Sequence, residues 1–509
     1  MRPIKCDKTM TESARADRET ELKLALPPDA VDTFVRRMAA WRQTPTRQRL
    51  VTRYYDTPAF DLAAAGVAVR VRRVGRRWVQ TLKTEGDRAG GLSLRGEYET
   101  PAPGGRLDWA RFPDVARARV PEPWRARLGV VFETDFVRTA WRLRHGDATI
   151  EVALDVGEIR AGARRLPLSE VELELERGDV DALYALAIQL AEDVDLVPDD
   201  ASKAERGTRL AQGLADAPRR AGPVALDRGM DVGEAFAAIC RACLGQLQAN
   251  LHGIGGEDPE FLHQARVALR QLRAARRLFA AACPLPASLD EGLDRLAGAL
   301  GTARDWDVMC LQVLPAIAPH YPEAARWARL TAAAGRERQA ARAAMQATLS
   351  QVRPGRWLLA FHRWLAQPGC GGEGAAAVSG LVPFVRAALA RGLRRIRRRG
   401  EHWKTLTAPQ RHALRIAIKR QRYAMGFFRT LLPRSCAATI EGLAELQDAL
   451  GRANDERVAA RLLAGLAAAD DDVHAAGFAA GWLARGGIEP LPRNIEKQLK
   501  NLMKSGECW

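Results

Sequence analysis

Between residues 17 and 210 the chain alternates charged and apolar side chains again and again: ETELKLAL, VAVRVRR, RWVQTLK, SLRGEYET, ATIEVALDVGEI and SEVELELE. A period of two belongs to strands, where successive side chains point to opposite faces. Turn signals separate the runs, at Val74-Gly75-Arg76, Gly86-Asp87, Ala89-Gly90-Gly91, His145-Gly146-Asp147 and Ala161-Gly162. Two stretches with helical spacing interrupt them, DAVDTFVRRMAAW and VDALYALAIQLAEDV. The pattern predicts an α+β domain over 17–214 with mostly antiparallel strands, behind a flexible N-terminus over 1–16.

The grammar changes after ADAPRRAGPVA, residues 215–225, which reads as a linker. From there the chain runs in long Ala/Leu/Arg segments of period 3.6, broken at Gly253–Gly256, Cys283-Pro284, Pro319–Pro322 and Pro368–Gly374. This second domain, 226–502, is expected to be an all-α bundle. It contains an internal repeat. HQARVALRQLRAARRLF from His263 matches HALRIAIKRQRYAMGFF from His412, an offset of 149 residues. GALGTARDWDV from Gly298 matches DALGRANDERV from Asp448, an offset of 150. Two blocks at a near-constant offset indicate a duplicated helical unit, with halves at about 226–375 and 376–502.

Charge divides along the same line. The net charge is +17 over 509 residues, but residues 1–220 hold 38 basic and 35 acidic side chains, and the remainder 40 and 26. A basic helical half suits a polyanionic partner, although a solvated basic face gives the same count. The eight cysteines show no disulfide spacing. The one C-x-x-C, Cys240 and Cys243 in AFAAICRACL, reads as a helix-core pair rather than a zinc or redox site. No stretch reaches the roughly 18 apolar residues of a membrane span. The N-terminus lacks an apolar signal core, and Met10 is an alternative start. These features predict a cytoplasmic protein.

The alternation sorts charges onto strand faces. Glu19, Glu21 and Lys23 share one face; so do Arg70 and Arg72, Thr81 and Lys83, Arg95, Glu97 and Glu99, Glu151 and Asp155, and Glu170, Glu172 and Glu174. The opposite faces are apolar, as in Leu22 and Leu24, Val69 and Val71, and Val171, Leu173 and Leu175. A sheet with its polar face to water has this pattern too. A closed barrel with both signs inside is the alternative: Arg and Lys to hold phosphate oxygens, carboxylates to hold a hard divalent cation.

The ordered motifs resemble those of the CYTH superfamily, the triphosphate tunnel metalloenzymes, and within it the bacterial inorganic triphosphatase type. They run from ExExK (Glu19, Glu21, Lys23) through YYDTP at 54–58, Arg70/Arg72, TLK at 81–83, EYE at 97–99, TDFVR at 134–138, IEVALDVGEI at 150–159 and ELELERGD at 172–179 to SKAERG at 202–207. The resemblance implies an eight-stranded antiparallel tunnel that hydrolyses inorganic triphosphate. Lys23, Arg70, Arg72, Lys83, Arg138 and Lys203 would bind the triphosphate. Glu19, Glu21, Glu172 and Glu174 would hold Mg²⁺ or Mn²⁺. Glu97, Glu99, Glu151 and Asp155 would line the tunnel, serving with Lys23 as catalytic groups. Arg53, before YYDTP, departs from the expected pattern and receives no role.

In the helical half, His263, Arg266, Arg270, Arg273 and Arg277 recur at steps of three and four, on one helix face, and His412, Arg415, Lys419 and Arg422 repeat the stripe. Such a stripe repels itself unless an anion or a neighbouring carboxylate covers it. Turns at Arg304/Asp305 and Asn454/Asp455 are candidates for the latter. The segment RAALARGLRRIRRRGEHWK is a further basic stretch, either another anion surface or a solvated helix. HxxRVxxRxLR and ARDxDV resemble the CHAD domain, which implies two related helical bundles binding inorganic polyphosphate, with polyphosphate granules as a place of association. A non-catalytic polyphosphate-binding protein and a hydrolase of an organic triphosphate such as thiamine triphosphate are the competing readings. Nucleic acid is disfavoured: no such motif appears, and aromatics are 6% of the chain.

Overall fold

The computed structural model describes residues 18–84, 86–367, 380–401, 403–469 and 473–485. The described residues divide into two compact units: residues 18–217 together with Arg353–Gln367, and Pro218–Val352 together with the described residues from 380 on.

The first unit is built on one antiparallel sheet. Its strands are β1 Arg18–Ala25, β2 Thr46–Asp56, β3 Val67–Val74, β4 Arg77–Thr84, β5 Asp87–Ala89, β6 Leu92–Pro101, β7 Gly129–His145, β8 Ala148–Ala161, β9 Arg164–Arg177 and β10 Val197–Pro198. Hydrogen bonding runs β1–β9–β8–β7–β2–β3–β4–β6, and β6 returns to β1. Eight strands therefore close on themselves. The closing edge of β1 is shared: Arg18–Leu22 pair with Gly96–Leu92 of β6, and Leu24–Ala25 pair with Pro198–Val197 of β10. Closure removes the open edge that would otherwise invite pairing with other chains.

The apolar strand faces look outward and are covered. Leu22, Leu24, Val152, Leu154, Val171 and Leu173 pack with Phe34 and Met38 of helix α1 (Val31–Ala39) and with Leu183, Leu186 and Leu190 of helix α2 (Val180–Leu190). Val67, Val69 and Leu82 pack under Phe112, Ala116 and Val120. Each fully buried side chain of this kind stabilises the fold by about 1.5–3 kcal/mol. A one-residue slip would turn every such side chain inward, so burial fixes the register. The charged faces are left to line the lumen. A third helix, α3 (Lys203–Ala211), closes the unit's own sequence. It starts at a capping box in which Ser202 and Glu205 satisfy each other's backbone N–H groups.

The second unit contains α4 (Val232–Leu251), α5 (Pro259–Phe279), α6 (Ala287–Val308), α7 (Ala324–Val352), α9 (Leu381–Gly400), α10 (Ala408–Phe427), α11 (Ala437–Ala469) and α12 (Val473–Ala484). A further helix, α8 (Pro354–Ala366), lies within the expected helical half by sequence but groups with the strand-rich unit. Cys240 and Cys243 are buried inside α4, and burial pushes the Cys243 thiol up to about 12.

Three local expectations are corrected. Arg304 and Asp305 lie inside α6, and Asn454 and Asp455 inside α11, not in turns. The apolar spacing of Leu300, Ala303 and Trp306 carries α6 through that point to a π-helical turn at Met309–Val313. His145 is the last residue of β7, and the turn begins at Gly146. The expected break at Pro368–Gly374, the segment after 485 and the side chains of 448–455 lie outside the described residues.

Candidate active site

Strand register assembles the lumen in rows. Glu21 of β1 stands opposite Glu174 of β9, which stands opposite Glu151 of β8. Lys23 is opposite Glu172, and Glu172 opposite Ala153. Glu170 is opposite Asp155, and Asp155 opposite Arg138 of β7. Glu170 and Asp155 are fully buried, and Glu21 and Lys23 nearly so. Burying this many charges costs several kcal/mol per ion unless partners are supplied, and the partners are present.

Lys203, at the first turn of α3, supplies the largest share. Its Nζ lies 2.7 Å from Asp155 and 2.8 Å from Glu172, and it also pairs with Glu170. Arg138 grips Asp155 through two bonds of 2.7 Å and reaches Glu172. Arg206, one helical turn after Lys203, pairs with Glu170. Burial works against the charge of Glu170 and of Glu172. Lys203 and Arg206 nevertheless hold Glu170 below the usual range, and Lys203 and Arg138 hold Glu172 well below it. Burial likewise opposes the Lys203 charge, yet Asp155, Glu170 and Glu172 hold its pKa above the ordinary lysine value.

The other wall is basic. Arg70 lies 3.1 Å from Glu97, and Lys83 lies 2.8 Å from the same carboxylate. Arg72 donates from Nε to Thr52 Oγ1 at 3.1 Å. Burial, then the neighbouring Arg70, push Arg72 down to about 10. A guanidinium depressed this far is one that an entering anion would stabilise. Tyr54 is buried against this wall, and Arg70 and Arg72 offset the effect of burial to hold its phenol below the ordinary value. Arg53 points the other way, to an outer pair with Glu133 at 2.9 Å.

The structure thus gathers Lys23, Glu97, Arg70, Arg72, Lys83, Arg138, Asp155, Glu172 and Lys203 onto lumen faces. Glu21 accepts from Ser93 Oγ at 3.1 Å. Glu151 and Glu174 are half-buried one row away from Glu172. Glu99 is solvent-exposed, 3.5 Å from Thr81 Oγ1. Glu19 sits on β1 opposite Arg95, and its side chain lies outside the described residues. Among the described residues, the carboxylates whose oxygens come within 4.8 Å of one another are Asp155, Glu170 and Glu172. Glu172 is the one member of the expected metal set among them. Glu170 and Arg206 had no role from sequence. The signal for both was present: Glu170 is in phase with Glu172 and Glu174, and Arg206 is three residues after Lys203, on the same helix face. The donor set fits a hard divalent cation, being all carboxylate oxygen. The position of Lys203 Nζ among the same three groups shows that they accept positive charge between them.

In the helical unit, α5 and α10 bring the two basic stripes together. Arg266 finds Asp305 at 3.3 Å, and Arg273 finds Asp294 at 2.8 Å. Arg422 donates to Gln447 at 2.7 Å. Lys419 is pushed down to about 7, by burial first and then by Arg270, Arg415, Arg266 and Arg422. His263 is lowered by burial, then Arg304; His412 by burial, then Arg457 and Arg415. Asp305 and Asp294 therefore relieve only part of the stripe.

The strand-rich unit is thus a closed antiparallel tunnel with mixed charge in its lumen, and the helical unit carries two basic stripes. The chain carries a CYTH domain over residues 17–208 followed by a CHAD domain over 238–464. It is 34% identical over 197 residues to a protein named inorganic triphosphatase from Haemophilus influenzae, a match covering 38% of this chain and 54% of that one. The chain thus spans about half the length of that relative, and the match lies in the CYTH part. The crystal structure of the CHAD domain from the plant Ricinus communis is similar, with a TM-score of 0.50 and 35% identity, covering 56% of this chain and 97% of that one. CYTH proteins bind triphosphate substrates and use divalent cations. No described helix is long and apolar enough to cross a membrane.

Proposed function

We propose that the strand-rich unit hydrolyses inorganic triphosphate to diphosphate and orthophosphate with a divalent cation, Mg²⁺ or Mn²⁺, and that the helical unit binds inorganic polyphosphate. The observation that carries the reading is the lumen itself, where Arg70 and Arg72 of β3 stand on one wall and the Asp155, Glu170 and Glu172 trio on another. Arg70, Arg72, Lys83, Arg138 and Lys23 hold phosphoryl oxygens and place the chain of phosphates along the tunnel. Asp155, Glu170 and Glu172 would hold the cation, which when bound neutralises charge on the phosphates. Glu170 and Glu172 are weak proton acceptors, because their pKa values are held low. Glu151 and Glu174, opposite each other in the adjacent row, would orient the attacking water and take its proton. Water attacks the terminal phosphorus, the bridging P–O bond breaks, and diphosphate leaves.

Phosphate release from triphosphate with Mg²⁺ or Mn²⁺ tests this. Arg72→Ala is expected to lower kcat/KM by about 10²–10³, the scale for removing one preorganised charge donor. A wild-type chain inert on triphosphate in both metals sinks the reading.

For the helical unit, the stripe itself gives a pH dependence. Lys419, about half-charged near pH 7, takes up a proton when a polyanion docks. Affinity is full below pH 7 and falls as pH rises past it, by at most about tenfold per unit for one proton. Calorimetry of long-chain polyphosphate at pH 6, 7 and 8 reads the slope. Lys419→Arg should flatten it, and an unchanged slope in that variant removes Lys419 from the site.

A further inference from the structure

Helix α8 sits at residues 354–366, between segments of the helical unit, yet its contacts are made within the strand-rich one. Three ties hold it there. Asp195 accepts from the Gly355 N–H at 3.0 Å, next to the helix start. Arg363 donates two hydrogen bonds to the Asp181 carboxylate in the first turn of α2, at 2.8 and 2.6 Å. Leu359, fully buried, joins the core under β1 with Leu190, Val194 and Leu196. The approach is close enough that a Cβ at Gly355 would overlap the carbonyl oxygen of Leu196. At the other end of the helix, the buried His362 ring lies on Gly90, where a Cβ would overlap it.

The two places it touches, residues 195–198 and the Gly90–Gly91 turn, are the ones that fix the end of β1. Lys23 N–H donates to Gly91 O at 2.9 Å, and Asp199 N–H donates to Lys23 O at 2.9 Å. Gly91 N–H donates to Asp200 Oδ1 at 2.8 Å. The Lys23 ammonium donates to Ala201 O and lies 3.8 Å from Asp199. Lys23 is thus suspended between two short segments, and α8 packs against both.

We propose that α8 is a positioning element of the tunnel: it clamps β10 and the Gly90–Gly91 turn so that Lys23 faces the lumen. The inference rests on the reading of Lys23 as a phosphate ligand. Its consequence is that the tunnel is completed by residues encoded about 150 positions downstream of the rest of it, the separation from Ala201 to Pro354.

The test uses the full chain with Gly355→Ala, His362→Ala and His362→Phe. Hydrogen exchange is followed at residues 22–25 and 198–201, and KM and kcat for triphosphate are measured with Mn²⁺. Gly355→Ala and His362→Ala should speed exchange in both segments and raise KM about tenfold, with kcat much less affected, since misplacing a ligand by a fraction of an ångström costs on this order. His362→Phe, which keeps a ring on Gly90, should restore both. Unchanged exchange in a folded Gly355→Ala or His362→Ala chain overturns the proposal. So does faster exchange with KM unmoved. A wild-type chain with no turnover sinks the function proposed above, and the exchange arm alone then decides the clamp.

Discussion

A Lys203→Met chain is expected to lose at least about a hundredfold in triphosphate turnover and to melt well below the parent, on the scale seen when one partner of a buried ion pair is removed. Asp155, Glu170 and Glu172 converge within 4.8 Å, and Lys203 pairs with all three. Its deletion strands carboxylates that are fully or largely buried, leaving Arg138 and Arg206 as the described cations bonded to the trio. The usual cost of such a deletion is about 3–5 kcal/mol. For a domain of this size that is roughly a 10 °C fall in Tm. The variant should also respond more strongly to Mn²⁺ than the parent, because a divalent ion replaces the lost charge and binds the folded state only. Differential scanning calorimetry with and without Mn²⁺ reads both effects. Equal Tm values for variant and parent would show that Lys203 does not organise the trio.

The second large effect is expected from Glu170→Gln/Glu172→Gln. After chelation, Mn²⁺ should fail to restore turnover, because the two side chains that complete the oxygen cluster with Asp155 have lost their charge. The same variant should change the acid limb of stability. Burial raises the pKa of both carboxyls, but Lys203 and its arginine neighbours outweigh it, so both sit below the ordinary value of 4.5 when folded. A group depressed on folding contributes stability that is complete above the unfolded pKa and disappears as pH falls through the folded one. The parent should therefore lose stability as pH drops below about 4.5. The double variant, lacking these two titrations, should show a shallower slope there in urea midpoints taken from pH 6 to 3. Parallel slopes would mean that other carboxylates set the acid limb.

Much of the lumen was legible from period alone. Glu21 and Lys23, Arg70 and Arg72, and Glu172 and Glu174 share faces because strand side chains alternate, and the apolar partners Leu22, Val71 and Leu173 left no other face to bury. Arg206 and Glu170 were visible as positions but not as partners. Their pairing depends on how α3 docks on the barrel, which no local pattern encodes. The repeat of His263 and His412 was equally plain, whereas the mutual depression at Lys419 appears only once α5 and α10 face each other.

Periodicity, turn chemistry and the duplicated stripe follow from the sequence by itself, because they arise from the backbone geometry of neighbouring residues. Three things were settled only by tertiary structure: closure of β6 on β1, the choice of Asp155, Glu170 and Glu172 as the converging trio, and the recruitment of α8 to the tunnel unit. Each depends on contacts between segments far apart in the chain, where register and docking are fixed by burial of the whole unit rather than by the residues on either side.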